Sequence, residues 1–156
     1  VHGTVTAPAV SDVRQAGAVR PSHRIRQVVN AVNLATIAGL GLAKAQRGTL
    51  ERGPEGLVIA TGTRGRVPVA SAYTIGNVIV VREGVELTDE LLAHEAAHAT
   101  QWACCVVLFL PLYVGAMGWS WVRTGDHWSR NVFEQRAGLA RGGYVENPTR
   151  RRRQAG

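Results

Sequence analysis

Charge is sparse in this chain of 156 residues: 11 acidic side chains, and 19 % charged residues in all. Cysteine is scarcer still, with only Cys104 and Cys105, adjacent in an apolar run. Neighbours on a helix do not meet disulfide geometry. The CxxC-like spacing of a cysteine metal site is missing as well. A disulfide framework and a thiolate-ligated metal are therefore excluded, and both cysteines read as small buried apolar residues. The first twenty residues lack a continuous apolar core, so no N-terminal signal peptide is predicted, which favours the cytoplasm. No internal repeat is apparent.

The net charge is +7, of which four charges come from the arginine run at 150–153. Basic character is thus not a property of the whole surface. Such a tail can bind nucleic acid or anionic lipid. The remaining arginines are scattered, so no specific nucleic-acid partner is expected and the tail reads as a solvated end. With 46 % apolar residues, the length suits one domain with a real core.

Residues 1–22 mix glycine, proline and small side chains without a period and read as a mobile arm. Residues 24–46 look helical, with Ile25, Val28, Val29 and Val32 at spacings of three and four; Gly39 and Gly41 are expected to loosen or end that helix. Over 48–82, glycines alternate with Val/Ile runs. "GLVIA" and "NVIVV" read as strands and "VPVA" as a weaker third with Pro68 at its start or edge. A small antiparallel sheet is the natural solution. Thr88 or Asp89 caps the next helix, 88–103, with acidic residues favourably placed in its first turn. From Ala99 to Val122 the chain carries no charge. By length and apolarity this is a membrane-span candidate, yet full crossing would carry everything after Arg123 about 30 Å away. The expectation is a helix broken near Pro111 and a second buried piece through Trp121, with membrane association through residues 102–122 as the open alternative. Residues 124–143 read as loop, then helix, ended by Gly142 and Gly143.

The stretch that carries chemistry is HEAAH at 94–98. On a helix, positions four apart share a face, so His94 and His98 present imidazoles one turn apart, as two ligands of one Zn²⁺ require. Glu95 lies about 100° round. It is poorly placed as a ligand and well placed to take a proton from a metal-activated water. A third ligand is needed. Asp126, His127, Glu134, Glu146 and His23 are candidates, with His2 in the arm. Glu134 is preferred, because a helix holds it rigidly and the apolar connector is long enough to return the chain antiparallel. His127 is the runner-up. Asn131 could orient a ligating histidine or hold the helix junction. His127, Tyr144 and Tyr113 are candidates for stabilising an oxyanion. Arg130 and Arg136 could neutralise nearby carboxylates.

With "NVFEQRA" at 131–137, the HEAAH stretch resembles gluzincin-type zinc metallopeptidases. It is also similar to a family of small bacterial metallopeptidase-like proteins, through "IGNVIVV" (75–81), "HEAAHATQW" (94–102), "FLPLY" (109–113) and "NVFE" (131–134). The resemblance spans about residues 57–144. It implies His94, His98 and Glu134 as ligands of Zn²⁺ and Glu95 as general base. It also implies a peptide or protein substrate, and a cleft-lining strand "NVIVV" with a free edge. The long C-terminal subdomain of large gluzincins is missing, so their oxyanion donor has no matched position. The expected architecture is an α+β, minimal zincin-like domain over 23–147, between the arm and a basic tail at 148–156. The expected activity is peptide-bond hydrolysis, with an inactive zinc-binding scaffold as the alternative.

Overall fold

The structure, a computed structural model, describes residues 20–65 and 70–150. Most of the N-terminal arm, most of "VPVA" including Pro68, and Arg151–Arg153 lie outside that range. In chain order the elements are α1 (Pro21–Val32), α2 (Ala35–Ala45), β1 (Thr49–Arg52), β2 (Val58–Thr63), β3 (Ala72–Ile75), β4 (Val78–Arg82), α3 (Asp89–Cys105), α4 (Phe109–Thr124) and α5 (Val132–Ala137). The protein is α+β.

Strand β4 is the organising element. Val78, Ile79, Val80 and Val81 are all buried, because helices cover both faces of the sheet. Val78 and Val80 pack with Ala43 of α2 and Ala60 on one side. Ile79 and Val81 pack with Leu57, Ala72 and Ala99 of α3 on the other. That is why the sequence there runs apolar without alternation. Each such side chain contributes about 1.5–3 kcal/mol by leaving water.

The sheet order is β1-β2-β4-β3. It is mixed, not antiparallel as expected: β2 and β4 run parallel, while β1–β2 and β3–β4 are antiparallel. Consequently "NVIVV" is an inner strand rather than a free edge, and β3 forms the edge beside α3. β3 and β4 are joined by Gly76–Asn77, a two-residue loop with glycine first, the preference of type II′ hairpins. Gly76 has φ +61°, and a Cβ there would sit 2.4 Å from the Thr36 nitrogen. Only glycine admits α2 this close.

The expected helix over 24–46 is two helices, bent by 74° at Asn33–Leu34. Leu34 takes the left-handed conformation, φ 65°, while Gly39 and Gly41 lie inside α2. α1 is turned inside out. Arg26 and Asn30 are buried, and Ile25, Val28 and Val32 are exposed. Arg26 donates to the Glu55 carbonyl, and Asn30 donates to the Ala99 carbonyl of α3.

By length and composition Asp89–Thr124 could cross a membrane, since it contains an 18-residue stretch of mean hydropathy 1.8. It is not a straight rod. Fifteen residues of straight helix would separate His98 from Tyr113 by about 22 Å, yet their rings lie 6.0 Å apart. The chain reverses through Val106–Leu108, where Val106 has φ 52° and ψ −133°. The break therefore falls before Pro111, which sits within the first turn of α4, where proline is tolerated. The second piece is not buried: six of its large apolar side chains are at least half exposed. Cys104 is exposed and Cys105 half-buried, against the expectation for both.

A candidate metal centre between α3 and α5

Thr88 starts α3 by accepting the Leu91 amide, and Asp89 and Glu90 occupy its first turn. The helix then places His94, Glu95 and His98 against the sheet and the chain beyond α4, all three buried. α5 is shorter than expected. Asn131 caps it by accepting from the Phe133 amide, and Gly138, at φ 93°, ends it after six residues. Asn131 thus takes the second of its two expected roles, holding the junction. Glu134, on the first turn of α5, faces α3.

The ligand atoms of His94, His98 and Glu134 lie within 4.8 Å of one another. His94 Nε2 is 3.2 Å from Glu134 Oε2, and His98 Nε2 is 3.5 Å from Glu134 Oε1. The two Nε2 atoms are 3.2 Å apart. Their outer nitrogens decide the tautomers. His94 Nδ1 lies 3.1 Å from the Gly138 carbonyl, which can only accept. His98 Nδ1 lies 2.8 Å from Gln101 Oε1. The Gln101 amide cannot be reversed, because its Nε2 donates to the Phe133 carbonyl at 2.9 Å. Both Nδ1 atoms therefore donate. In neutral rings both Nε2 lone pairs then point inward, at each other and at a carboxylate. Apart from His94 Nε2, Glu134 Oε2 has no hydrogen-bond partner. Three converging electron pairs with no positive charge between them repel, so this buried group fits a metal ion.

The charges answer to the same geometry. Burial disfavours the Glu134 carboxylate, but hydrogen bonds with His94 and His98 outweigh it and hold its pKa down to about 2. Burial also opposes a proton on His98, yet Glu134 and Glu95 prevail and its pKa is raised. A metal therefore competes with a proton for His98. Glu95 differs from Glu134: burial dominates and pushes its carboxyl up. Thr74 of edge strand β3 lies with its hydroxyl 2.6 Å from Glu95 Oε2 and 3.1 Å from the Glu95 carbonyl.

Two further features close the site. Tyr113 of α4 donates to Glu134 Oε1, beside Phe109 and Phe133. Tyr144, stacked on Trp128 at 5.0 Å, brings its ring 6.1 Å from His94. Burial, with Glu134 and Glu95 nearby, raises its phenol. Gly142 lets this turn approach: a Cβ there would meet His94 Cε1 at 2.6 Å and the Tyr144 ring at 2.9 Å.

The alternative ligands lie elsewhere. His127 is exposed, against the Trp128 ring. Asp126 accepts from the Trp128 and Ser129 amides and shapes the loop. Glu146 pairs with Arg130 at 2.9 Å, which also takes Arg130 away from the buried carboxylates. His23 pairs with Glu55. Reasoning from sequence gave no role to Thr74 or Gln101. Gln101 could have been found, since it lies three residues after His98 and so on the same helical face. Thr74 could not, because strand pairing alone brings it to Glu95.

Set against known protein families, curated proteins and solved structures, the chain matches none.

Proposed function

We propose that the protein is a small zinc-dependent peptidase of gluzincin type. The observation that carries this reading is the pair of fixed tautomers, which turn both Nε2 lone pairs onto Glu134 beside a carboxylate, Glu95, that is not needed to hold the ion. His94, His98 and Glu134 would hold the metal. A nitrogen-rich set with one carboxylate suits zinc. The ion, when bound, supplies Lewis-acid activation of a water and of a peptide carbonyl.

The chain's own residues do the remaining work. Glu95 receives a proton on its carboxylate and later passes it to the leaving amine. Thr74 fixes Oε2 by a hydrogen bond, leaving Oε1 for that transfer. Tyr144 is the donor for the oxyanion, with its ring on the His94 side. Edge strand β3 offers its backbone to an extended peptide, the mode expected of "NVIVV" but transferred to the neighbouring strand. The reading includes an intracellular location with the protein held at a membrane.

A second reading, a metal-bearing scaffold without activity, is favoured by one observation: the three candidate ligands are 1–7 % exposed. Cobalt-substituted protein separates the two. In a peptidase, a hydroxamate shifts the visible spectrum and Glu95→Gln abolishes cleavage of a fluorogenic peptide library while cobalt stays bound. A spectrum blind to hydroxamate, with no cleavage by the wild type, leaves the scaffold.

A further inference from the structure

The apolar residues that a soluble helix turns inward are here turned outward. Leu110, Leu112, Val114, Trp119, Trp121 and Val122 of α4 are each at least 50 % exposed. At 100° per residue they cover more than half of the helix circumference. No charged residue occurs from Ala99 to Val122. A helix apolar over so wide an arc belongs inside something apolar. The reversal before it has the same character, with Val107 70 % and Leu108 59 % exposed. Val106 sits there at φ 52°, a conformation where a turn in water carries glycine or asparagine.

We propose that the α3–α4 hairpin is seated in one leaflet of an anionic lipid bilayer, with Val106–Leu108 deepest and Trp119, Trp121 and Arg123 at the headgroups. Length supports one leaflet rather than a crossing. From Leu108 to Trp119 the helix rises about 16 Å, against about 15 Å for half of the hydrocarbon core. The far end is built as an interface. The Arg123 guanidinium lies 5.3 Å from the Trp119 ring centre and that of Arg150 5.8 Å from the Trp121 ring. Indoles and arginines together mark the headgroup level. With Arg123, Arg150 supplies positive charge there to complement anionic lipid.

A second copy of the chain fits less well. A protein interface has a polar rim around its apolar centre, whereas here the polar groups gather at one end. α1 packs on α3 through the Asn30 bond to Ala99, and its Ile25, Val28 and Val32 are exposed as well. The metal cluster lies on the inner side of the hairpin, where Tyr113 touches Glu134. Docking therefore does not depend on the peptidase reading.

The test is flotation of the full chain with vesicles of phosphatidylcholine alone, or with 30 % phosphatidylglycerol. Binding is expected to be stronger to the anionic vesicles. Leu110→Asp and Leu112→Asp should each weaken it by about tenfold or more, with metal uptake retained as the control for folding. Arg123→Gln should lower binding to anionic vesicles only. In the wild type, lipids brominated along their chains should quench tryptophan emission, which needs no variant. Absence of both flotation and quenching overturns the proposal. So does a dimer in sedimentation equilibrium that Leu110→Asp dissociates while no vesicle is bound, since the occupant is then a second copy.

Discussion

Replacing Gln101 with leucine tests the logic of the site without touching a ligand. Gln101 accepts from His98 Nδ1 at 2.8 Å and donates to the Phe133 carbonyl at 2.9 Å, so it joins α3 to the helix that carries Glu134. Leucine keeps the bulk and removes both bonds. His98 is then free to place its proton on either nitrogen, and only one tautomer leaves Nε2 open. Loss of such an orienting partner typically weakens metal binding 10–100-fold, or about 1.4–2.7 kcal/mol. The orphaned Phe133 carbonyl costs a further ~1 kcal/mol of stability. Competition with a chromophoric chelator at pH 7.5 measures the first effect, and thermal melting of the metal-free protein the second. Gln101→Glu, which still accepts from Nδ1, should restore much of the affinity. If Gln101→Leu binds zinc as tightly as wild type, the tautomers are not fixed as described and the metal argument loses its foundation.

Thr74→Val should leave zinc affinity within a factor of two and lower peptide hydrolysis about tenfold or more, since Thr74 touches Glu95 and none of the three ligands; equal loss of both would assign Thr74 to the ligand set. Gly142→Ala should weaken zinc binding more than tenfold, because its Cβ would meet His94 at 2.6 Å and overpacking costs about 1–3 kcal/mol. Gly118→Ala, with open space around it, is the matched control, and parity of the two in a chelator titration would refute the close approach. Zinc affinity should also fall on acidification. His98 has a raised pKa, so its proton is bound below that value and the metal must displace it; the loss should begin above the ordinary histidine value of about 6.5. An affinity independent of pH between 5.5 and 8 would show that no such proton is released.

The two histidines of the candidate metal group were legible in sequence because their pairing is local. Four-residue spacing sets His94 and His98 on one face whatever the helix packs against. Thr88 and the acids after it mark where that helix begins. Glu134 could be preferred over His127 on rigidity and on the length of the connector before it, and the structure brings Glu134, not His127, to the histidines. What sequence did not reveal is non-local. β1 and β3 are four residues each, too short for a period to register. The parallel pairing of β2 and β4 depends on β3 folding outside β4, which nothing in either strand specifies. Thr74 reaches Glu95 only because of that order.

The helices failed in a more instructive way. Ile25, Val28 and Val32 recur at helical spacing, the pattern that ordinarily marks a face turned to the core, and apolarity read the piece through Trp121 as buried. Both inferences assume that the apolar face of a helix finds the protein interior. In α1 the interior instead takes Arg26 and Asn30, which donate to the Glu55 and Ala99 carbonyls. These polar contacts favour the orientation, since turning α1 over would take the Asn30 donor from the Ala99 carbonyl and the Arg26 donor from the Glu55 carbonyl. The apolar face is left outside by necessity, and α4 repeats the pattern, turning Tyr113 inward to Glu134 and Leu110 and Leu112 outward. Two helices that turn polar side chains inward and apolar ones outward suit a surrounding that is not water on that side. The assumption that misplaced them, once reversed, is the argument for the proposed docking to lipid.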